Sequence, residues 1–198
     1  MPAPGEEGDS MLFASAFAGL GVDESLLVPW EARAAEVSAK RFGSGKGIKL
    51  MQALWAKDKY MSHLDEAAIK SMERFFYFAS VPSNRDIIRQ DEYGNFMVVV
   101  LAGSVAVDRV QPWGERLRLA ESRPGEILGE MSLLDSGIRF STCTTLTDCD
   151  LAVLSVEAMD DMLLTNPQLA ASLIALLARK LSLRLRVVSA RLSDNKRN

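Results

Sequence analysis

The residues of this chain that most specifically indicate a chemical function are an acid and an arginine in one short connection. Glu130 follows Gly129 at the start of a run compatible with a short helix, and Arg139 comes nine residues later, ahead of strand-forming residues. Backbone N–H groups at a helix N-terminus bind anions, a guanidinium can pair with two phosphate oxygens, and a carboxylate accepts a hydroxyl. Together these groups suit a phosphate diester joined to a ribose. The alternative interpretation is a surface turn with an incidental ion pair, which would do little.

Short strands separated by turns surround this connection. From residue 81 onward, β-branched and aromatic runs alternate with turn residues, a pattern that predicts a small antiparallel sandwich or barrel. The predicted strands are 87–88, 96–101, 104–110, 117–120, 140–146 and 151–156. A turn at 123–125 and apolar residues around both charges predict that Glu130 and Arg139 are partly buried.

Helices are predicted on both sides of the strands. The first 80 residues have the apolar spacing of a helical module, and after residue 156 a helix at 157–164 precedes a long helix to about residue 192, with a tail at 193–198. Apolar residues repeat along the long helix at alternating spacings of four and three, a heptad seam. The seam residues are Ile174, Ala178, Leu181, Leu185, Val188 and Leu192. The seam either packs back on the sheet or forms a symmetric dimer, and we favour the dimer.

Composition argues against several classes of function. The net charge of −3 gives no overall attraction to nucleic acid or anionic membranes, and no stretch is long enough to span a bilayer. The N-terminus lacks the positive region of a secretory signal, and two cysteines, Cys143 and Cys149, suit a reduced cytoplasmic setting better than a disulfide scaffold. With His63 as the only histidine and no nucleophile paired with a base, we expect no metal site, no cofactor and no enzymatic activity.

Several motifs together resemble one known family. Segment 88–103 has strands with glycine turns, the motif Gly125-x-x-Leu-Gly-Glu130 is followed by Arg139, and 144–154 looks like a closing pair of strands ahead of the long helix. Residues 81–192 thereby resemble the cyclic nucleotide-binding domain of the catabolite activator protein, the regulatory subunits of cyclic AMP-dependent kinase and cyclic nucleotide-gated channels. The resemblance implies an α+β fold, in which an antiparallel β-roll (a double-stranded, jelly-roll-like β-helix) at 81–156 is flanked by N-terminal helices at 1–80 and C-terminal helices at 157–192.

The resemblance also implies roles for residues of the connection, which corresponds to the family's phosphate-binding cassette. Glu130 would accept a hydrogen bond from the ribose 2′-hydroxyl, and Arg139 would pair with the cyclic phosphate. Gly129, Met131 and Ser132 would supply backbone at the cassette helix.

Three residues depart from the family pattern. Phe140 follows Arg139 where a small residue is usual, so it either points into the core, with Ser141 or Thr142 taking part in the site, or narrows the site. Asp91 replaces a turn glycine and needs a left-handed backbone that Asp tolerates. Arg184 of the long helix could stack on a purine, read the O6 and N7 of guanine, or be solvated.

We therefore expect a sensor of a cyclic nucleotide, most simply cAMP, that forms a homodimer through the long helix and signals by helix movement to an unidentified protein partner. Direct DNA binding is not expected, because few residues follow the long helix and none would form a helix-turn-helix. Two alternatives stay open. One is a dimeric interaction scaffold with a degenerate pocket, and the other is a sensor of cGMP or a guanine-containing cyclic dinucleotide.

Overall fold

The computed structural model describes residues 12–195, with side chains to residue 190. The helices are α1 (Leu12–Gly19), α2 (Trp30–Glu36), α3 (Ser44–Trp55), α4 (Glu66–Ser71), α5 (Glu130–Asp135), α6 (Val156–Thr165) and α7 (Pro167–Asn195). The strands are β1 (Lys40–Arg41), β2 (Tyr77–Val81), β3 (Asp86–Ile88), β4 (Phe96–Ala102), β5 (Val105–Val110), β6 (Arg116–Ser122), β7 (Ile127–Leu128), β8 (Thr142–Thr145) and β9 (Cys149–Ser155). Short 3-10 turns lie at Glu24–Leu26, Met61–His63 and Met72–Arg74.

The strands form two antiparallel sheets, and the predicted α+β fold with a β-roll is confirmed. One sheet has the order β1-β2-β9-β4-β7 and the other β3-β8-β5-β6. Because side chains alternate between the faces of a strand, β4 serves two cores. Its odd-numbered residues from Met97 to Leu101 pack with the helices, and its even-numbered residues from Phe96 to Val100 pack between the two sheets. Burial on both faces explains why β4 reads as a continuous apolar run.

The first strands of the sheet lie within the region 1–80 that the sequence predicted to be helical. Lys40–Arg41 forms a strand that pairs with β2, with Lys40 opposite Ser80 and Arg41 opposite Ala79. Residue 80, the predicted end of the helical module, thus lies inside β2. Tyr77 and Phe78, which lie within the predicted helical module, pair with β9 in a strand instead, because the burial of Phe78 in the core decides the local structure of this apolar segment.

A buried aspartate of α6 holds the first helix. Asp160 is completely buried, and its carboxylate accepts the backbone N–H of Phe13 at 3.0 Å and of Ala14 at 2.9 Å. These N–H groups belong to the first turn of α1, where they have no partner within the helix. Phe13 and Phe17 of α1 join the core that contains the helices and β4. Asp160 therefore fastens α1 to the C-terminal helices.

The long C-terminal helix is present as predicted, and the first residue of its seam, Ile174, packs against the core. Leu169, Leu173 and Leu177 are buried in the core, whereas Leu185 and Val188 of the seam are 66% and 51% exposed. The predicted tail begins within α7; residues 196–198 and the side chain at 192 lie outside the described residues. Between residues 12 and 195, no helix has the length and apolar character needed to cross a membrane.

Candidate functional site

A left-handed glycine opens the cassette. Gly129 precedes α5 with φ of 76°, a conformation that side chains disfavour. A Cβ atom at this position would lie 2.7 Å from Nη1 of Arg139 and 2.9 Å from Cδ1 of Ile88. The glycine therefore supplies the turn and also the space in which Arg139 lies. Behind it, the first N–H groups of α5 have no partner within the helix.

Arg139 is buried against backbone carbonyl groups. Its side chain is 3% exposed, and Nη1 donates to the carbonyl of Gly129 at 2.9 Å while Nη2 donates to the carbonyl of Phe96 at 2.6 Å. The guanidinium carbon lies 4.7 Å above the centre of the Phe96 ring, a cation–π contact. A Cβ at Gly94 would come within 2.5 Å of Nε of Arg139, so this glycine also makes room for the arginine. The guanidinium is thus fixed in one position.

The charge of Arg139 has no carboxylate partner. Among residues 12–190, no Asp or Glu oxygen lies within 4.0 Å of its guanidinium nitrogens. Burial lowers the pKa of Arg139 from 12.5 to about 10, although the more distant charges of Glu92 and Glu130 raise it. A buried cation without a paired anion is costly. The site therefore lacks one negative charge, which an anionic ligand would supply.

Glu130, the predicted sugar-binding acid, already has a partner from the long helix. Its side chain is 8% exposed, and Oε1 lies 2.5 Å from Nη1 of Arg184, which is 53% exposed. The prediction that Glu130 and Arg139 are buried is confirmed, and the two do not pair with each other. In this structure Arg184 reaches the cassette acid, while its predicted contact with a base stays a prediction.

The remaining predicted residues lie around these charges in different environments. In α5, Ser132 is buried and Met131 is 46% exposed. Ser141 hydrogen-bonds to Cys143, a thiol whose pKa is raised to about 12 by burial. The hydroxyl of Thr142 accepts the N–H of Gln90 at 3.1 Å, so it is already engaged.

Phe140 does not enter the core, and the expectation that it might do so is wrong. Its side chain is 51% exposed, and the guanidinium carbon of Arg109 lies 3.9 Å from the centre of its ring. Arg109 also donates to the carbonyl oxygen of Phe140. This surface cation–π contact gives the ring a partner without burial. Phe140 is therefore a bulky residue at the edge of the cassette and not a part of its support.

The loop at 91–95 supports Arg139 from behind, and sequence reasoning found only one of its members. Asp91 has φ of 66°, as predicted for a position that usually holds glycine. The N–H of Asp91 donates to the carbonyl of Arg139 at 2.9 Å, and the N–H of Arg139 donates to the carbonyl of Glu92 at 2.8 Å. Gly94 could have indicated this support in the sequence, since glycine often marks a position where another group approaches the backbone closely. The role of the Phe96 carbonyl has no signal in the sequence.

The N-terminal helices pack directly on this supporting loop. Trp30, at the start of α2, is 2% exposed and meets the Phe96 ring edge-on, with centroids 5.5 Å apart. Arg33 of α2 is buried and forms ion pairs with Glu92 and Glu36. The ring that underlies Arg139 is therefore also contacted by the N-terminal segment.

Comparisons with known proteins point to one family of domains. Residues 78–166 match the family model of the cyclic nucleotide-binding domain. The chain is 34% identical over 116 residues to the Cyclic AMP receptor protein of Thermus thermophilus, covering 59% of this chain and 52% of that protein. It is 24% identical over 131 residues to the CRP-like cAMP-activated global transcriptional regulator of Mycobacterium tuberculosis, covering 66% of this chain and 58% of that regulator.

A solved structure supports the fold. The cyclic nucleotide-binding domain of Methylobacillus flagellatus aligns with a TM-score of 0.71 at 22% identity, covering 79% of this chain and 89% of that domain. The chain spans 52% to 58% of the length of these two curated relatives. Residues 78–166, which include the cassette, therefore belong to the cyclic nucleotide-binding domain family. The predicted family is confirmed, and its named relatives are regulators and receptors.

Proposed function

We propose that the chain is a sensor of a cyclic mononucleotide, cAMP before cGMP, and that the cassette formed by α5 and Arg139 binds the ligand. The observation that carries the proposal is the buried guanidinium of Arg139, which has no carboxylate partner among the described residues. A cyclic phosphate carries one negative charge and would balance it. Arg184 and Glu130, by contrast, already balance each other.

Arg139 retains donors for a phosphate. A guanidinium has five N–H donors, and the carbonyls of Gly129 and Phe96 use two, so three remain. The two carbonyls fix the fork before ligand arrives, which lowers the entropy lost on binding. The N–H groups of the first turn of α5, which have no partner within the helix, would add to the phosphate site, and Glu130 would accept a ribose hydroxyl.

The preference for cAMP rests on the relatives, two of which are named for cAMP. The test is isothermal titration calorimetry of cAMP, cGMP and a guanine cyclic dinucleotide with the wild type and with Arg139→Leu. Arg186→Gln, which changes an exposed arginine of α7, serves as the control for a lost surface charge. We expect cAMP to bind the wild type and the control equally and to bind Arg139→Leu far more weakly. No binding to the wild type would refute the proposal.

A homodimer through α7 is part of this proposal. Leu185 and Val188 are exposed on the helix, and Ala178 of the same seam is exposed as well. A second copy would bury this seam as a coiled coil. Ligand-driven helix movement would then reach a protein partner through the dimer. The cytoplasmic location and the lack of direct DNA binding stay predictions.

A dimeric scaffold without a ligand is the second candidate. It is favoured by one observation: both cassette side chains already have hydrogen-bond partners within the chain, Arg184 for Glu130 and two carbonyls for Arg139. A dimer that binds none of the three nucleotides in the titration would support the scaffold.

A further inference from the structure

An ion pair joins the long C-terminal helix to the acid of the cassette. Nη1 of Arg184 in α7 lies 2.5 Å from Oε1 of Glu130 at the start of α5. The two members differ in burial, since Glu130 is 8% exposed and Arg184 53%. Because the acid is the buried member, loss of the arginine would leave a negative charge that water screens poorly.

This ion pair lies where α7 has little apolar packing on the domain. Leu177 is buried in the core, whereas Leu185 and Val188 further along are exposed. Between them, Lys180 pairs with Asp58 at 2.9 Å. Up to residue 190, the second half of α7 is therefore held to the domain largely by polar contacts, and the Arg184 pair reaches the cassette.

The charges of the cassette balance an anionic ligand only when α7 is in this place. A phosphate at Arg139 would be repelled by the nearby carboxylate of Glu130 in a site of low dielectric. Arg184 cancels that carboxylate, so one phosphate, one acid and two arginines sum to zero. A carboxylate has about four lone-pair positions, and Arg184 contacts one oxygen. Glu130 can therefore accept a ribose hydroxyl while it remains paired.

We infer that Arg184 is a positioning residue that acts through Glu130. It cancels the charge of the acid, allows an anionic ligand to occupy the cassette, and thereby makes ligand affinity depend on the docking of α7. The inference rests on the proposed function. Coupling of this kind is reciprocal, so bound ligand in turn holds α7 against the cassette. In this arrangement Arg184 contributes without contacting the base.

A double-mutant cycle tests the inference, with cAMP affinity measured by calorimetry. Arg184→Gln should weaken binding about fivefold to tenfold, in the lower range of typical coupling, and Arg184→Lys should restore most of it because the charge returns. Arg186→Gln is the matched control on the same helix. In a Glu130→Gln background, Arg184→Gln should have little further effect, because no acid charge remains to be cancelled. A loss that persists in this background, or that differs between cAMP and cGMP, would indicate a base contact and overturn the inference.

Hydrogen exchange of the ligand-free protein tests the docking of α7 without any nucleotide. Amides at 182–190 should exchange faster in Arg184→Gln and in Glu130→Gln than in the wild type, and equal exchange would overturn the docking. If the wild type binds cAMP and Arg184→Gln binds it equally or more tightly, the inference fails and the proposed function stands. If the wild type binds neither cAMP nor cGMP, the proposed function itself fails, and so does the inference that Arg184 balances the charge of Glu130 for a ligand.

Discussion

Replacing Arg139 with leucine should leave the ligand-free protein almost as stable as the wild type, which is unusual for a buried side chain. Burial lowers the pKa of Arg139 from 12.5 to about 10, and at about 1.4 kcal/mol for each pKa unit the charge costs the folded state roughly 3 kcal/mol. Leucine removes this cost. It also removes two hydrogen bonds from a charged donor to the carbonyls of Gly129 and Phe96, worth about 1.5 kcal/mol each at the low end of the range for charged groups. The two effects nearly cancel, so the free energy of unfolding should change by less than about 1 kcal/mol.

Arg33 is the matched control, because it is also buried but pairs with Glu92 and Glu36. Arg33→Leu removes the buried cation that Glu36 and Glu92 share and leaves them only the more exposed Arg89, and breaking a buried pair is destabilising. Both glutamates are partly exposed, so we expect a loss of about 2 kcal/mol, below the range for fully buried pairs. Urea unfolding of both variants at neutral pH without ligand measures the difference. If Arg139→Leu loses as much stability as Arg33→Leu, Arg139 is a structural residue, and the reasoning from its missing anion is refuted.

Four further predictions follow from single contacts. In urea unfolding, the stability of the wild type relative to Arg139→Leu should increase between pH 9 and 11. Burial lowers the pKa of Arg139 in the folded protein to about 10, below its value in the unfolded chain. As the pH rises, the folded protein therefore loses this proton first, and the cost of the buried charge disappears. A stability difference between the two proteins that stays constant with pH would contradict this prediction. Gly129→Ala should lose about 1–3 kcal/mol and weaken cAMP binding, because its Cβ would meet Arg139, whereas Gly114→Ala, with similar positive φ but open space, should show the strain alone. Equal effects of the two alanines on binding would argue against the clash. Val188→Asp should convert a dimer to a monomer in light scattering, since a charge enters the exposed seam; a dimer that persists would exclude this interface. Asp160→Ala should lower the free energy of unfolding by about 1–3 kcal/mol, because the buried N–H of Phe13 and the partly buried N–H of Ala14 lose their acceptor; an unchanged urea midpoint would contradict this contact.

The cassette could be predicted from the sequence because its determinants are local. The glycine that opens α5, the acid behind it and the arginine all lie within eleven consecutive residues. Their types alone suggest a turn, a helix start and an anion site, and the flanking apolar residues predict their burial. Asp91 is another local case, since a residue tolerant of positive φ stands where the turn needs one.

The contacts that give the site its charge balance could not be predicted, because they join distant parts of the chain. Arg139 and its carbonyl acceptor at Phe96 are 43 residues apart, and Arg184 and Glu130 are 54 apart. No spacing or motif marks such pairs. The two-residue strands β1 and β7 could not be predicted either, because a strand so short forms only by pairing with its neighbour in the sheet.

The central claim is that Arg139 binds the phosphate of a cyclic mononucleotide, and calorimetric titration of cAMP into wild type and Arg139→Leu tests it most directly. The unfolding experiment above establishes that the variant is folded. Loss of charge-assisted hydrogen bonds worth about 1.5–3 kcal/mol each predicts that the wild type binds one cAMP per chain and that the variant binds at least about a hundredfold more weakly. Binding of equal affinity by both proteins, or no binding by the wild type, would contradict the claim.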